Sequence, residues 1–106
     1  MPILPIDTGR YGTPEMRKIF QEDSRLKKML DVEAALAWAH SEVGDVSRKD
    51  AQKIVEAAST KYVKVNRVKA IEREIKHDVM ALVRALAEVS GPSGAYVHLG
   101  ATSADI

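Results

Sequence analysis

The sequence predicts an all-α fold: a helical domain with an extended N-terminal arm and an irregular C-terminal tail. Three observations carry this reading. Apolar residues recur at helical spacing in several stretches; glycine and proline fall between those stretches, not within them; and the one run that alternates like a strand, Lys61-Tyr62-Val63-Lys64-Val65, has no second run to pair with. With 106 residues, 45% of them apolar, the chain makes one domain, residues 1–106, with a modest core.

Residues 2–12 hold glycine and proline breaks before any periodic pattern, which predicts an arm ending in the turn Gly9-Arg10-Tyr11-Gly12. Thr13-Pro14-Glu15 then starts a helix: a capping hydroxyl, a proline at the first helical position and a carboxylate in the first turn. Met16, Ile19 and Phe20 are its expected inner face. A second helix restarts at Asp23 or Ser24, with the stripe Leu26, Met29, Leu30, Leu36 and Ala37, and Glu33 falls inside that stripe. The alanine-rich run 34–39 permits close approach of a neighbour, Trp38 fills volume on the flank, and Val43-Gly44 closes the helix. His40, in the last turn, reads as structural, favoured there by the helix dipole.

Ser47 caps a short third helix with Asp50 three positions on, and Ala51, Ile54, Val55 and Ala58 form its face until Ser59-Thr60 breaks it. Residues 61–65 are then an extended connector. The longest element is expected from about Asn66 to Ser90. Its stripe of Val68, Ile71, Ile75, Val79, Leu82, Leu86 and Val89 is spaced by three, four, four, three, four and three, a bundle rhythm. Gly91-Pro92-Ser93-Gly94 ends it in a tight turn and delivers the chain to its tail.

Composition excludes several classes of function. Sixteen basic and fifteen acidic residues give a net charge of +1 with neither sign gathered in a block, and only five residues are aromatic, so nucleic-acid binding is not expected. There is no cysteine, hence no disulfide, thiolate metal site or catalytic thiol, which fits a reducing cytoplasm. The apolar opening Met1-Pro2-Ile3-Leu4-Pro5-Ile6 lacks a basic region and meets Asp7 too early for a signal peptide, and nothing approaches a membrane span. Two glutamines, one asparagine and 29% charged residues lean toward a thermophilic source.

Three stretches carry candidate chemistry. His77, flanked by Lys76 and Asp78, offers an imidazole that can move protons near neutrality, against the alternative of an ordinary surface histidine. His98-Leu99-Gly100-Ala101-Thr102-Ser103 unites a histidine, a glycine and two hydroxyls. Thr102 or Ser103 reads as a helix cap, a place that suits a carboxylate or phosphate; the alternative is a plain structural cap beside a buried histidine. Arg10-Tyr11 adds a guanidinium able to grip an anion bidentately, beside a phenol. Neither histidine has a second ligand at metal spacing, so zinc is not expected.

These motifs resemble the adenylosuccinate lyase family of the fumarase/aspartase superfamily over essentially the whole chain. The resemblance rests on Arg10-Tyr11 with Pro14-Glu15-Met16, Asp31-Val32-Glu33-Ala34-Ala35-Leu36-Ala37, Lys76-His77-Asp78-Val79, and His98 through Asp105. It implies a β-elimination that releases fumarate from adenylosuccinate to give AMP, and from the succinylated carboxamide ribotide SAICAR to give AICAR, without metal or organic cofactor. It further implies that Arg10 and Tyr11 contact the phosphate end, that Lys76, His77 and Asp78 line the substrate site, that His98 lies near the phosphate, and that Thr102 and Ser103 hold a succinyl carboxylate. The family's serine base and histidine acid would fall beyond Ile106, as would the central bundle that builds the homotetramer. The chain is therefore expected to be a truncated N-terminal part, inactive and self-associating on its own. Two rivals stay open: a self-contained helical interaction module docking through the 66–90 helix, and a small helical enzyme of the chorismate-mutase kind. The second is weakened because Arg17, Arg67, Arg73 and Arg84 share no stripe.

Overall fold

The computed structural model describes residues 12–106, and the predicted arm, with Arg10 and Tyr11, lies outside the described residues. Thr13 caps α1 (Pro14–Ile19): its hydroxyl oxygen accepts the Met16 N–H at 3.2 Å, and Pro14 sits where its missing N–H costs nothing. The expected inner face of α1 is not inner. Met16, Ile19 and Phe20 are 45%, 60% and 48% exposed; α1 packs on α2, and at its end Ser24 Oγ donates to the Lys18 carbonyl at 2.6 Å.

Helix α2 (Glu22–Glu42) starts one residue ahead of the predicted restart at Asp23, with Gln21 as its N-cap, and stops at Gly44, whose φ of +86° suits glycine. It buries Leu26, Leu30, Glu33 and Ala37, a row spaced by four, three and four. Ser47 caps α3 (Arg48–Ala57) as the sequence predicts, its oxygen accepting the Asp50 N–H at 3.1 Å. Ala51, Ile54 and Ala57 turn inward, while Val55 stays 39% exposed. The following connector is not extended: Tyr62 and Val63 both donate their N–H to the Ser59 carbonyl, making turns.

The long helix expected over 66–90 is two helices, α4 (Val65–Ile75) and α5 (Asp78–Val89). Lys76 ends α4 in the left-handed conformation, φ 57° and ψ 38°, with its N–H on the Glu72 carbonyl at 2.7 Å. His77 is extended and opens α5, its Nδ1 accepting the Met80 N–H at 3.0 Å. The apolar spacing runs unbroken through this junction, so periodicity alone gives no sign of it. Helix α5 buries Val79, Ala81, Leu82, Val83, Ala85 and Leu86, apolar on most sides, and is the central helix against which α3 and α4 pack.

Ser90 ends α5, and residues Gly91–Tyr96 form a 3-10 turn that lies against both α5 and α3. Ser93 Oγ donates to Asp50 Oδ1 at 2.8 Å, tying this turn to the start of α3. Gly94 approaches α5 so closely that a Cβ there would sit 2.5 Å from the Ala87 carbonyl oxygen. The tail from Val97 is irregular, as predicted, until a last 3-10 turn, Ser103–Asp105. Among the described residues there is no strand, and no helix is long and apolar enough to cross a membrane.

Candidate functional site

Helix α2 is the scaffold to which both described candidate stretches are tied. Near its start, Arg25 lies 3.6 Å from Asp78 Oδ2 at the α4–α5 junction. Farther along, Glu33 and His40 reach the tail: Glu33 Oε1 is 2.6 Å from His98 Nδ1, and His40 Nε2 is 2.7 Å from the Leu99 carbonyl oxygen. Seven residues make nearly two turns, so Glu33 and His40 share a face, with buried Ala37 between them. Arg25 to Glu33 spans roughly 12 Å of helix axis. None of the hydrogen bonds among the described residues joins 76–78 to 98–103 directly.

At the junction, Lys76, His77 and Asp78 are all exposed. His77 is engaged as the N-cap of α5. Because its Nδ1 accepts a backbone N–H, the ring proton belongs on Nε2, which is left as a donor. Asp78 Oδ1 accepts its neighbour Val79's N–H at 2.8 Å and leaves Oδ2 for Arg25. A cleft of about 140 Å³ opens beside Asp78, lined by Glu22, Arg25, Leu26, Met29, Val68 and Leu82 among others. Sites for drug-sized ligands run to roughly 300–1,000 Å³, so this cleft does not by itself hold a nucleotide.

In the tail, His98 adopts φ 66°, a left-handed backbone that a side chain other than glycine adopts at a cost of roughly 1–2 kcal/mol. Two bonds hold it there, the one from Glu33 to its ring and the one from His40 to the next carbonyl. The His40 ring also bonds Asp45 Oδ2 through Nδ1 at 3.1 Å. Both partners of His40 are acceptors, so both bonds are complete only when the ring is protonated; the Leu99 carbonyl first, then Asp45, raise its pKa above the ordinary 6.5. Glu33 is 1% exposed, and its Oε2 has no hydrogen-bond partner among the described residues. Burial pushes its carboxyl above the usual value, with the His98 bond pulling the other way.

Thr102 and Ser103 form a self-contained cap. Thr102 Oγ1 accepts the Ala104 N–H at 3.2 Å, and Asp105 Oδ2 reaches back to the Thr102 N–H at 2.9 Å. The helix start expected here is a single 3-10 turn in which the Thr102 N–H is taken by Asp105. Sequence reasoning placed Glu33 in the stripe and His40 at a helix end but missed what they hold. Their only sequence signal was an acidic residue in an otherwise apolar row; the partners lie 65 and 59 residues away.

No family model matches the chain. Over all 106 residues it is 59% identical to an adenylosuccinate lyase of Pyrococcus horikoshii, covering 23% of that protein. It is 58% identical over 107 aligned residues to the adenylosuccinate lyase of Methanocaldococcus jannaschii, again covering the whole chain and 23% of the relative. Among solved structures, the 3-carboxy-cis,cis-muconate lactonizing enzyme of Pseudomonas putida superposes with a TM-score of 0.81 at 32% identity, over 95% of this chain and 24% of that one. The chain thus spans about a quarter of the length of the relatives it matches.

Proposed function

We propose that the chain belongs to the adenylosuccinate lyase family and is the N-terminal helical domain of an enzyme that cleaves adenylosuccinate to AMP and fumarate, and SAICAR to AICAR and fumarate. One observation carries the proposal: similarity at 59% identity across every residue of the chain. A self-contained interaction module would owe no such likeness to an enzyme four times its length.

The reaction is a β-elimination. A base takes a proton from the succinyl carbon adjacent to the one bearing nitrogen, the C–N bond breaks, fumarate leaves, and an acid protonates the departing amine. This domain's share is binding. Arg10 and Tyr11 contact the nucleotide phosphate end; Lys76, His77 and Asp78 line the substrate site; His98 lies near the phosphate; Thr102 and Ser103 hold a succinyl carboxylate. The substrates carry a phosphate and two carboxylates, which matches a set with an arginine, a lysine, two histidines and two hydroxyls. The serine base and histidine acid belong to the remaining three quarters of the enzyme, which works as a cytoplasmic homotetramer without a cofactor.

The exposed face of α1 fits this picture, since Met16, Ile19 and Phe20 want a cover that the rest of such an enzyme would supply. Ultraviolet-monitored cleavage of adenylosuccinate tests the proposal. The full-length protein is expected to release fumarate and residues 1–106 alone are expected to release none. A full-length protein that cleaves neither succinyl nucleotide overturns it.

A further inference from the structure

Glu33 occupies a position where the pattern of α2 calls for an apolar side chain. It lies in the row Leu26, Leu30, Glu33, Ala37, fully inside the fold, and one of its carboxylate oxygens meets no donor among the described residues. A leucine there would continue the core at no such cost, and replacing buried charge by apolar residues is often neutral or stabilising. Stability therefore does not account for Glu33.

What Glu33 touches does account for it. Its single bond goes to Nδ1 of His98, at 2.6 Å, just inside the roughly 2.7–2.9 Å usual for charge-assisted N–H···O pairs. His98 is also one of two residues other than glycine with positive φ among the described residues, and such outliers persist where neighbours over-determine them. We infer that Glu33 is a positioning residue for His98: its carboxylate accepts a hydrogen bond from Nδ1–H, fixes the ring on a left-handed backbone, and leaves Nε2 as the nitrogen that meets a substrate phosphate.

This inference rests on the lyase reading for the identity of the anion, and on the geometry alone for the pairing. With Nδ1–H held by the Glu33 carboxylate, the ring binds phosphate in the form that also carries a proton on Nε2, so that both nitrogens donate. The phosphate takes no part in bond breaking, so its contacts act alike on ground and transition states; weakening them raises KM and leaves kcat nearly unchanged. A residue that merely fills space would not produce that split.

The test uses the full-length protein and the variants Glu33→Gln, His98→Asn and the double variant. Glu33→Gln keeps the volume and removes the charge. It is expected to melt within a few degrees of the parent, to raise KM for adenylosuccinate about tenfold, as loss of one hydrogen bond to a charged group does, and to leave kcat within about threefold. His98→Asn should raise KM at least as much, and the double variant no more than His98→Asn alone, because Glu33 acts only through that ring. Histidine-selective 15N spectra provide a readout independent of activity: the His98 signal, identified by its loss in His98→Asn, should carry its proton on Nδ1 in the parent and change in Glu33→Gln. A parental KM in Glu33→Gln, or full multiplication of effects in the double variant, overturns the inference. If the parent protein cleaves no succinyl nucleotide, the lyase reading falls and the spectra decide alone. A His98 proton on Nε2 only, unmoved by Glu33→Gln, then sinks the pairing too.

Discussion

Replacing His77 separates the capping duty it has in this fold from the substrate-site duty proposed for it. As N-cap of α5 it satisfies the Met80 N–H through Nδ1 at 3.0 Å, while Asp78 satisfies the Val79 N–H, so two donors of the first turn depend on this pair of residues. His77→Ala leaves the Met80 N–H to water. Met80 is 39% exposed, so water can reach it, and the loss falls in the middle of the range for caps, about 1 kcal/mol. That corresponds to roughly fivefold faster amide exchange across the first turn of α5, on the scale where 1.4 kcal/mol is tenfold. His77→Asn offers a carbonyl oxygen in the same place and belongs to the best capping residues, so its exchange should stay near the parent's. On the proposed function, adenylosuccinate cleavage by the full-length protein should fall in both variants, since neither carries the Nε2 donor. Hydrogen exchange read by mass spectrometry on peptides spanning 76–83, alongside the ultraviolet assay, measures the two duties together. Equal loss of protection in the Ala and Asn variants would refute the capping argument; full activity in His77→Asn would remove the residue from the substrate site.

Two further outcomes follow from contacts around the tail. In Gly94→Ala the added Cβ, 2.5 Å from a backbone oxygen of α5, has no flexible side chain to displace, so the turn itself must move and strain the Ser93–Asp50 bond; a loss of about 2–4 kcal/mol is expected by chemical denaturation, and a loss under about 0.5 kcal/mol would contradict the close approach. For His40, the folded-state pKa lies above 6.5, so its contribution is fully present below that value and fades as pH rises through the folded-state pKa. The melting-temperature gap between the parent and His40→Gln should thus be widest near pH 5.5 and narrow toward pH 8.5, and a gap that widens with pH would reverse the assignment.

Local chemistry made most of the helices legible. Thr13-Pro14, Ser47 with Asp50, and Gly44 act through neighbours within four residues, and their caps stand where the sequence puts them. The α4–α5 break was not legible, because the apolar spacing continues across it and the turn is made by a lysine in a left-handed conformation without glycine or proline. The inward face assigned to α1 failed for a different reason: a periodic stripe says which side is apolar and not what will cover it. In the candidate site, the residue types were readable, and Thr102, one of the two cap candidates, caps the last turn. The grip of Glu33 and His40 on the tail was not, since pairing across some sixty residues is a property of packing and leaves no local signature.

That double grip makes α2 intolerant of length change over a short, definable interval. Each residue of helix advances the side chain by 100°, and Glu33 and His40 fall within about 20° of each other only because seven steps nearly complete two turns. One residue inserted or deleted between them would swing one grip a quarter-turn away from the tail while the other stayed in place. Across relatives, the interval from Glu33 to His40 should therefore behave like a gear tooth count, constant in number even where the letters drift.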